Sequence, residues 1–496
     1  MKLLGLRICE HDANFTLYDN GRVLYYKPER FHQVKHKAFK LDEWEDEIKR
    51  VWNITSKDLD HIAIVFDPWV HGLSDENESF FPAIDYTDFK ADCKVTRINH
   101  HYAHALSYWP LDVNPDVSIV IDGYGDKDKA WTVFRKDKLV EEGSKKIYGS
   151  IGFEMSVLGG DMGVHANHYV DIAGKLMGLQ SYGKVDQEYK KFLSKYTIYS
   201  INEIFNLNYW DNYKGDPLLG ELTQLDAVAT IHDYIGDVLV KFFKTYCKEN
   251  DTVFYAGGVA QNVIWNTRLK KEFPNLVIPP HCADEGLSLG AIEYLRREYN
   301  LPPLRLEGFP YCQLDSHEWH EITDDTIAQV AQELANGKVI GWFQGRGEIG
   351  PRALGNRSIL FDPTVANGKD IINKFKRREG YRPFGASILE EHKDLYFKDL
   401  PVNPYMLYVG ETYATDVLQS ISHVDGTCRA QTVPNNDTAF RKLLQEFFNI
   451  TGCPILLNTS LNLAGKPIAC TPVDAMEFFK TTEIDCLVIG NDIFSR

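Results

Sequence analysis

Residues 341–358 constrain this chain more than any other stretch. They follow a β-type run, residues 338–343. They set three arginines, Arg346, Arg352 and Arg357, among the glycines Gly345, Gly347, Gly350 and Gly355. Glycine lets backbone approach a ligand closely and adopt angles closed to other residues. A guanidinium presents a planar fork of donors that matches phosphate and carboxylate oxygens. Three such cations in one short span repel one another unless an anion lies between them. Glu348 is the one acid within the stretch. Arginines paired with core carboxylates, or simply solvated, are the alternative. The pattern points to a site for a phosphorylated substrate.

A chain of 496 residues is long enough for two to four domains with substantial cores. A hydrophobic content of 44% and a charged content of 25% are ordinary for a globular protein. The net charge of −16 argues against broad, non-specific nucleic-acid binding, though a local basic cleft is compatible with it. The 9 cysteines are scattered without a CxxC pair, which predicts reduced thiols in a cytosolic, cytoplasmic protein. Residues 1–5 lead into a strand pattern, which reads as no signal peptide, and no apolar run approaches a membrane span.

The chain opens as strand, polar loop, strand, turn, strand, with His11 and Asp12 in the first loop and Asp19-Asn20-Gly21 as the turn. That order suits the actin-like nucleotide-binding fold, where this loop faces the ligand. Residues 27–40 are locally basic, either a solvated face or an anion-facing loop. In Asn99-His100-His101-Tyr102-Ala103-His104 a helix start puts His100 and His104 four apart on one face, a recurrent metal-ligand spacing. Unpaired core histidines are commoner, so the pair needs carboxylate partners. Asp122 follows the strand pattern of residues 117–121, where open α/β sheets place ligands, and Asp284 precedes a helix entered through small residues. Two histidines with these two aspartates would form an N/O site suited to iron or zinc.

Residues 149–183 are glycine-rich, which argues against a simple helix there. Residues 225–244 carry an amphipathic helical stripe. Next, the strand pattern of residues 252–256 runs into Gly257-Gly258-Val259-Ala260-Gln261-Asn262. Strand, paired glycines and a helix start would offer backbone N–H groups to a phosphate, with a tight structural turn as the alternative. Residues 300–318 are rich in proline and aromatics and mark the domain boundary. Beyond it, strand ends bear Lys376, Arg382, Arg429, Ser460 and Asn462, a phosphate and nucleotide pocket rather than an apolar one. The last strand pattern is residues 486–490, and no internal repeat is visible.

Eleven ordered segments then carry a resemblance. They are His11-Asp12, Glu29-Arg30-Phe31, Lys35-His36, His100-His101-Tyr102-Ala103-His104, Asp122-Gly123, Gly174-Lys175-Leu176-Met177-Gly178-Leu179, Gly257-Gly258-Val259-Ala260-Gln261-Asn262, residues 341–358, Arg382-Pro383-Phe384, His423-Val424-Asp425-Gly426-Thr427 and Leu457-Asn458-Thr459-Ser460-Leu461-Asn462. Together they resemble the NodU/CmcH-type O-carbamoyltransferases across the whole chain. The resemblance implies an α/β protein with an actin-like amino-terminal domain (ASKHA, related to the tRNA threonylcarbamoyl transferases) at residues 1–305. It implies a YrdC-like α/β domain at 320–496, with 306–319 as linker. The YrdC-like domain would make carbamoyl-adenylate from carbamoyl phosphate and ATP, with Mg(II) on the ATP. The actin-like domain would pass the carbamoyl group to a hydroxyl of a small molecule, a sugar or a hydroxymethylated pyrimidine such as 5-hydroxymethylcytosine in DNA.

By position, His100, His104, Asp122 and Asp284 resemble ligands of Fe(II) or another divalent metal. His11, with Asp12, Lys35 and Arg352, falls among the catalytic positions. Lys175, Gly257, Gly258, Asn262, Arg346, Arg357, Ser358, Lys376, Arg382, Arg429, Ser460 and Asn462 fall at nucleotide- or adenylate-binding positions. A homodimer is compatible with the resemblance. Departures are the Ala13-Asn14-Phe15 loop and Ala173-Gly174-Lys175, which lacks an acid the family carries. A tRNA threonylcarbamoyl-type modifying enzyme shares both domain types and is the alternative, as is a non-catalytic nucleotide-binding regulator.

Overall fold

A computed structural model describes residues 1–8, 11–66, 81–206, 223–313 and 320–496. Cys9 and residues 314–319 of the expected linker lie outside them. The chain divides into two compact units, Met1–Glu29 with His36–Cys312, and Arg30–Lys35 with Gln313–Arg496.

The first unit opens with β1 (Lys2–Arg7), β2 (Asn14–Asp19) and β3 (Arg22–Tyr26), joined as an antiparallel meander. Asn20 and Gly21 turn the β2–β3 hairpin with φ of 49° and 99°. That is the left-handed pair a two-residue hairpin turn requires, and it is why asparagine and glycine stand there. β4 (His61–Val65) lies parallel to β1 on its other side. Beyond it come β5 (Ala83–Asp85) and β6 (Lys94–Ile98), in the order β3-β2-β1-β4-β6-β5.

The second sheet holds β7 (Val117–Gly125), β8 (Lys129–Arg135), β9 (Lys138–Ser144), β10 (Val253–Ala256) and β11 (Leu276–Val277) in the order β11-β10-β7-β8-β9. Again an antiparallel three-strand meander is followed by two strands parallel to its first. Apart from the antiparallel edge strand β5, the two sheets therefore repeat one topology, the duplicated arrangement of the actin-like fold. The repeat is one of strand order and leaves no trace in the residue sequence.

Two helices, Ile151–Asp161 and Val170–Leu179, occupy the glycine-rich stretch that argued against helix. Tertiary packing reverses the propensity: a Cβ on Gly159 would meet Ile172 Cγ2 at 2.4 Å, so the missing side chain lets the two helices touch. The amphipathic stripe forms helix Gln224–Tyr246, with Val228, Ile231, Ile235, Val238, Leu239 and Phe242 buried.

The second unit is built on one mixed sheet. Its strands are β12 (Ile340–Phe343), β13 (Arg357–Phe361), β14 (Gly385–Leu389), β15 (Phe397–Lys398), β16 (Val409–Thr412), β17 (Thr427–Val433), β18 (Ile455–Ser460), β19 (Cys486–Ile489) and β20 (Asp492–Ser495). Their order is β15-β16-β17-β14-β18-β13-β12-β19-β20. β20 follows the segment that read as the final strand. Side chains alternate across the sheet. Trp342, Leu360, Leu456 and Val488 pack against helices Asp324–Ala335 and Ala439–Thr451. Phe343, Ile359, Leu457 and Leu487 face helices Gly368–Lys376 and Pro472–Thr481. Helices on both faces of a mixed sheet make this unit α/β, as expected of the YrdC-like class. No helix among the described residues is long and apolar enough to cross a membrane.

In the first unit, Gly290 of helix Leu287–Glu298 lies against helix His100–Leu106: a Cβ there would meet the Ala103 carbonyl oxygen at 1.7 Å. Gly290→Ala must push the helices apart. It is expected to cost roughly 1–3 kcal/mol of stability, seen as a lower urea midpoint.

Candidate active site

In the first unit the carboxyl ends of β1, β6 and β7 gather the chemistry. Asn99 caps helix His100–Leu106 directly after β6, its side chain accepting from Tyr102 N, and the helix brings His100 and His104 to the same two aspartates while His101 bonds Thr132. His100 Nε2 lies 3.3 Å from Asp122 Oδ2 and 3.5 Å from Asp284 Oδ1; His104 Nε2 lies 3.1 and 3.4 Å from the same two oxygens. All four residues are buried, and their ligand atoms fall within 4.8 Å of one another.

The other carboxylate oxygens are held from behind. Asp122 Oδ1 accepts from the Gly123 and Gly258 amides at 2.7 and 3.0 Å. Asp284 Oδ2 accepts from Arg7 Nη2 at 3.0 Å. The Asp126 carboxylate takes the His100 amide at 2.6 Å and Arg97 Nη2 at 2.7 Å. Each aspartate thus offers one oxygen to the histidines while the other is fixed, the division of labour expected behind metal ligands.

Two adjacent buried carboxylates require positive charge between them, from protonated imidazoles or from a cation. Burial opposes charge on His100, yet Asp284 and Asp122 hold its pKa up to about 10. Burial also opposes charge on Asp122, but His100 and His104 hold its carboxyl well below the usual range. Ligands roughly 2.0–2.2 Å from a central ion stand roughly 3–3.5 Å from their neighbours. The imidazole–carboxylate separations of 3.1, 3.3, 3.4 and 3.5 Å fall in that interval, and two nitrogens with two oxygens suit a borderline divalent metal. The donor set fits the group.

A second cluster adjoins the first. Asp12 Oδ2 accepts from His11 Nδ1 at 3.0 Å and from His36 Nδ1 at 2.9 Å; Lys27 Nζ lies 3.2 Å from Asp12 Oδ1 and 3.2 Å from Glu29 Oε1. The ammonium already occupies the place a cation would take among these acids. His11 Nδ1 is also 3.9 Å from Asp284 Oδ2. His168 and Tyr169 flank the His11 ring, with centroids 5.6 and 6.4 Å away. Burial disfavours charge on His36, but Asp12 and Asp171 raise its pKa to about 9.

The remaining positions of the first unit serve other contacts. Gly258 N supports Asp122, and Gly257, at φ 96°, would drive a Cβ to 2.2 Å from the Ile121 carbonyl oxygen. Asn262 caps helix Val263–Glu272 and bonds to His232. Lys175 Nζ donates to the His165 carbonyl.

In the second unit the loop between β12 and β13 folds around Glu348, whose Oε1 accepts from the Leu354, Asn356 and Arg357 amides at 2.8, 3.0 and 3.2 Å. Arg357 is buried, donates to the Gln344, Gly345 and Asn356 carbonyls and stacks 3.6 Å over Phe343. Ser358 is buried beside it on β13, and Arg346 is half-buried. Lys35 lies half-buried in the Arg30–Lys35 segment.

Lys376, Ser460 and Asn462 come together: Lys376 Nζ donates to the Ser460 carbonyl, to Asn462 O at 2.9 Å and to Asn462 Oδ1 at 3.0 Å. Arg378, Arg382, Arg429 and Arg352 form the cationic cluster. Burial, then Arg352, Arg378 and Arg382, depress the pKa of Arg429 well below the ordinary value. Burial and Arg382 bring Arg378 down to about 9. Lys376 is lowered by burial, Arg378 and Arg382. Groups that oppose one another's charge in this way favour an anion among them.

Among the residues that sequence reasoning left unassigned are Lys27, Arg7, Arg97 and Arg378. Lys27 and Arg7 end apolar strands, which was the available signal, but the run from residue 27 reads equally as a solvated face or an anion-facing loop, and only burial decides between them. Arg378 sits two residues after Lys376 within the same basic run.

The His36 shift carries a sign. Its folded pKa of about 9 exceeds the ordinary 6.5, so its stabilisation is complete below about 6.5 and lost as pH rises through about 9. Urea midpoints of the native chain are expected to fall between these pH values, and His36→Gln to flatten that slope.

Residues 83–292 match the family described as "Carbamoyltransferase N-terminus", and residues 331–496 match "Carbamoyltransferase C-terminus". The nodulation protein NolO of Bradyrhizobium diazoefficiens is 32% identical over 437 residues, covering 79% of this chain and 78% of that protein. The 3'-hydroxymethylcephem-O-carbamoyltransferase of Streptomyces clavuligerus is 30% identical over 280 residues, 54% of each chain. A Synechocystis protein, sll1178, is 30% identical, covering 100% of this chain and 96% of its own length. With both halves matched and relatives aligned over most of its length, the chain belongs to the carbamoyltransferase family.

Proposed function

We propose that the chain is an ATP-dependent O-carbamoyltransferase that works through carbamoyl-adenylate. The observation that carries this reading is the gathering of Lys376, Arg378, Arg382, Arg429 and Arg352 in the second unit, where burial and then one another's charge disfavour the cationic forms and Glu379, 3.8 Å from Arg382, is the acid beside them; a bound polyphosphate would supply the remaining negative charge. Carbamoyl phosphate and ATP, with Mg(II), are the substrates proposed there. Water first takes the phosphoryl group of carbamoyl phosphate, breaking its P–O bond to release phosphate and leave carbamate; a carbamate oxygen then attacks the α-phosphorus of ATP and pyrophosphate leaves. The expected anhydride hydrolyses readily, so exclusion of water favours its survival.

The first unit is the proposed transfer site. His100, His104, Asp122 and Asp284 would hold Fe(II) or another divalent ion, which supplies Lewis acidity toward the carbamoyl group. His11, its ring fixed through Nδ1, takes the proton from the acceptor hydroxyl. That hydroxyl attacks the carbamoyl carbon, and AMP departs. Arg346 and Ser358 are proposed to line nucleotide positions, and Lys35 is proposed to stand with Arg352 among the catalytic groups. The acceptor is proposed as an alcohol of a small molecule, sugar or hydroxymethylated pyrimidine; the Streptomyces relative's name specifies a hydroxymethyl group.

ATP–pyrophosphate exchange that depends on carbamoyl phosphate tests the first step. Arg429→Ala and Arg352→Ala are each expected to lower it roughly 100-fold or more; undiminished exchange removes the cluster from the reaction. For the second step, His104→Ala should keep exchange while losing bound divalent metal by elemental analysis and losing transfer. Retention of both metal and transfer removes the four-residue site.

A further inference from the structure

We propose that Lys27 is a positioning residue: it holds Asp12 by Oδ1 so that Oδ2 faces His11, and Oδ2 in turn keeps the His11 proton on Nδ1 and leaves Nε2 to accept. The proposal rests on the reading of His11 as the base of the transfer step, and no sequence signal assigned Lys27 a part in it.

The geometry is a clasp. Asp12 presents Oδ1 to the Lys27 ammonium and Oδ2 to two imidazoles. A carboxylate oxygen can only accept, so Nδ1 of His11 and Nδ1 of His36 are both donors. The clasp is closed elsewhere. Glu29 Oε1 lies 3.2 Å from the same ammonium, and Glu29 Oε2 accepts the His36 amide at 3.0 Å. Ala13 N donates to the Lys37 carbonyl at 2.9 Å, joining the two loops. Asp12 and His36 are held with φ of 54° and 56°, a left-handed backbone that side chains other than glycine adopt seldom and that surrounding contacts must maintain. Lys27 itself is 3% exposed. A buried ammonium is costly, and here it faces the two carboxylates that fix the loops around His11.

An ammonium can donate and never accept, whereas an imidazole can exchange donor for acceptor by changing tautomer. Lys27 is therefore the member of the clasp that cannot adapt. In Asp12→Asn the amide oxygen must turn toward Lys27, which sends the amide NH₂ toward the histidines. His11 Nδ1 then becomes an acceptor and the proton moves to Nε2, the wrong tautomer for a base facing the acceptor. Removing the ammonium as well, in Asp12→Asn/Lys27→Met, frees the amide to turn back.

The test is nitrogen NMR of the full-length chain labelled with ¹⁵N-histidine, at a pH alkaline enough to leave His11 neutral, its signals identified by their loss in His11→Gln. The native chain is expected to carry the proton on Nδ1, Asp12→Asn on Nε2, and the double variant on Nδ1 again. An unchanged Nδ1–H form in Asp12→Asn overturns the proposal. So does a folded double variant that keeps the Nε2–H form. Where the double variant does not fold, the near-isosteric single variant decides.

Carbamoyl transfer to 3'-hydroxymethylcephem as probe separates the clasp from the reading beneath it. Asp12→Asn is expected to lower kcat roughly 100-fold or more with KM within about twofold, and the double variant to recover about tenfold of that loss. A moved proton with undiminished transfer supports the clasp and removes His11 as the base.

Discussion

Two buried aspartates, Asp122 and Asp284, set the terms for the first unit. Each gives one oxygen to His100 and His104 and has the other fixed, by the Gly123 and Gly258 amides or by Arg7. Paired carboxylates in a dry interior are tolerable only with compensating charge and complete hydrogen bonding. Much of the surrounding architecture meets that demand. The strand ends, the Gly257 turn and the cap at Asn99 each deliver a group to this cluster, and the second helix is seated by Gly290 against Ala103. The site and the fold are one hydrogen-bonded object, so perturbations of packing reach the donor atoms.

The second unit solves the opposite electrostatic problem. Its cations are gathered by backbone that is itself held by neutral polar groups. Ser387 donates to Gln431, Gln431 donates to the Leu354 carbonyl, and Asn458 donates to Ser387, all buried. Glu348 closes the loop by accepting backbone amides, so it is not placed as a counter-ion to the arginines. The one arginine of residues 341–358 that is fully buried, Arg357, ties loop carbonyls together. Arg352, on the same loop, reaches the cluster around Arg429. A loop of this kind fixes cations near each other in advance, which favours a polyanion over solvent.

Between these extremes stands the Asp12 cluster, where Lys27 and His36 neutralise carboxylates that also orient His11. Its charges are internally matched, so it needs neither a metal nor a phosphate. That distinguishes it from its neighbour only a few ångströms away, although both contain histidines and acids.

Sequence alone determined the types of local element and the chemistry available to each. Helical spacing put His100 and His104 on one face, the strand ends placed Asp122, and the hairpin at Asn20-Gly21 was legible from its turn residues. Apolar periodicity marked the helix Gln224–Tyr246. Only the tertiary structure decided which of these groups meet. Asp284 joins a pair far away in the chain because helix Leu287–Glu298 packs on helix His100–Leu106. Lys27 is a buried clasp and not a solvated cation because Asp12 and Glu29 close on it. Arg357 is separated in role from Arg352 because Arg357 donates to loop carbonyls, whereas the charge of Arg352 acts on Arg429. Glycines that locally oppose helix became helix contacts at Gly159. The physical reason is common to all: local propensity acts over a few residues, whereas burial and charge pairing depend on segments that the sequence separates by tens to hundreds of positions.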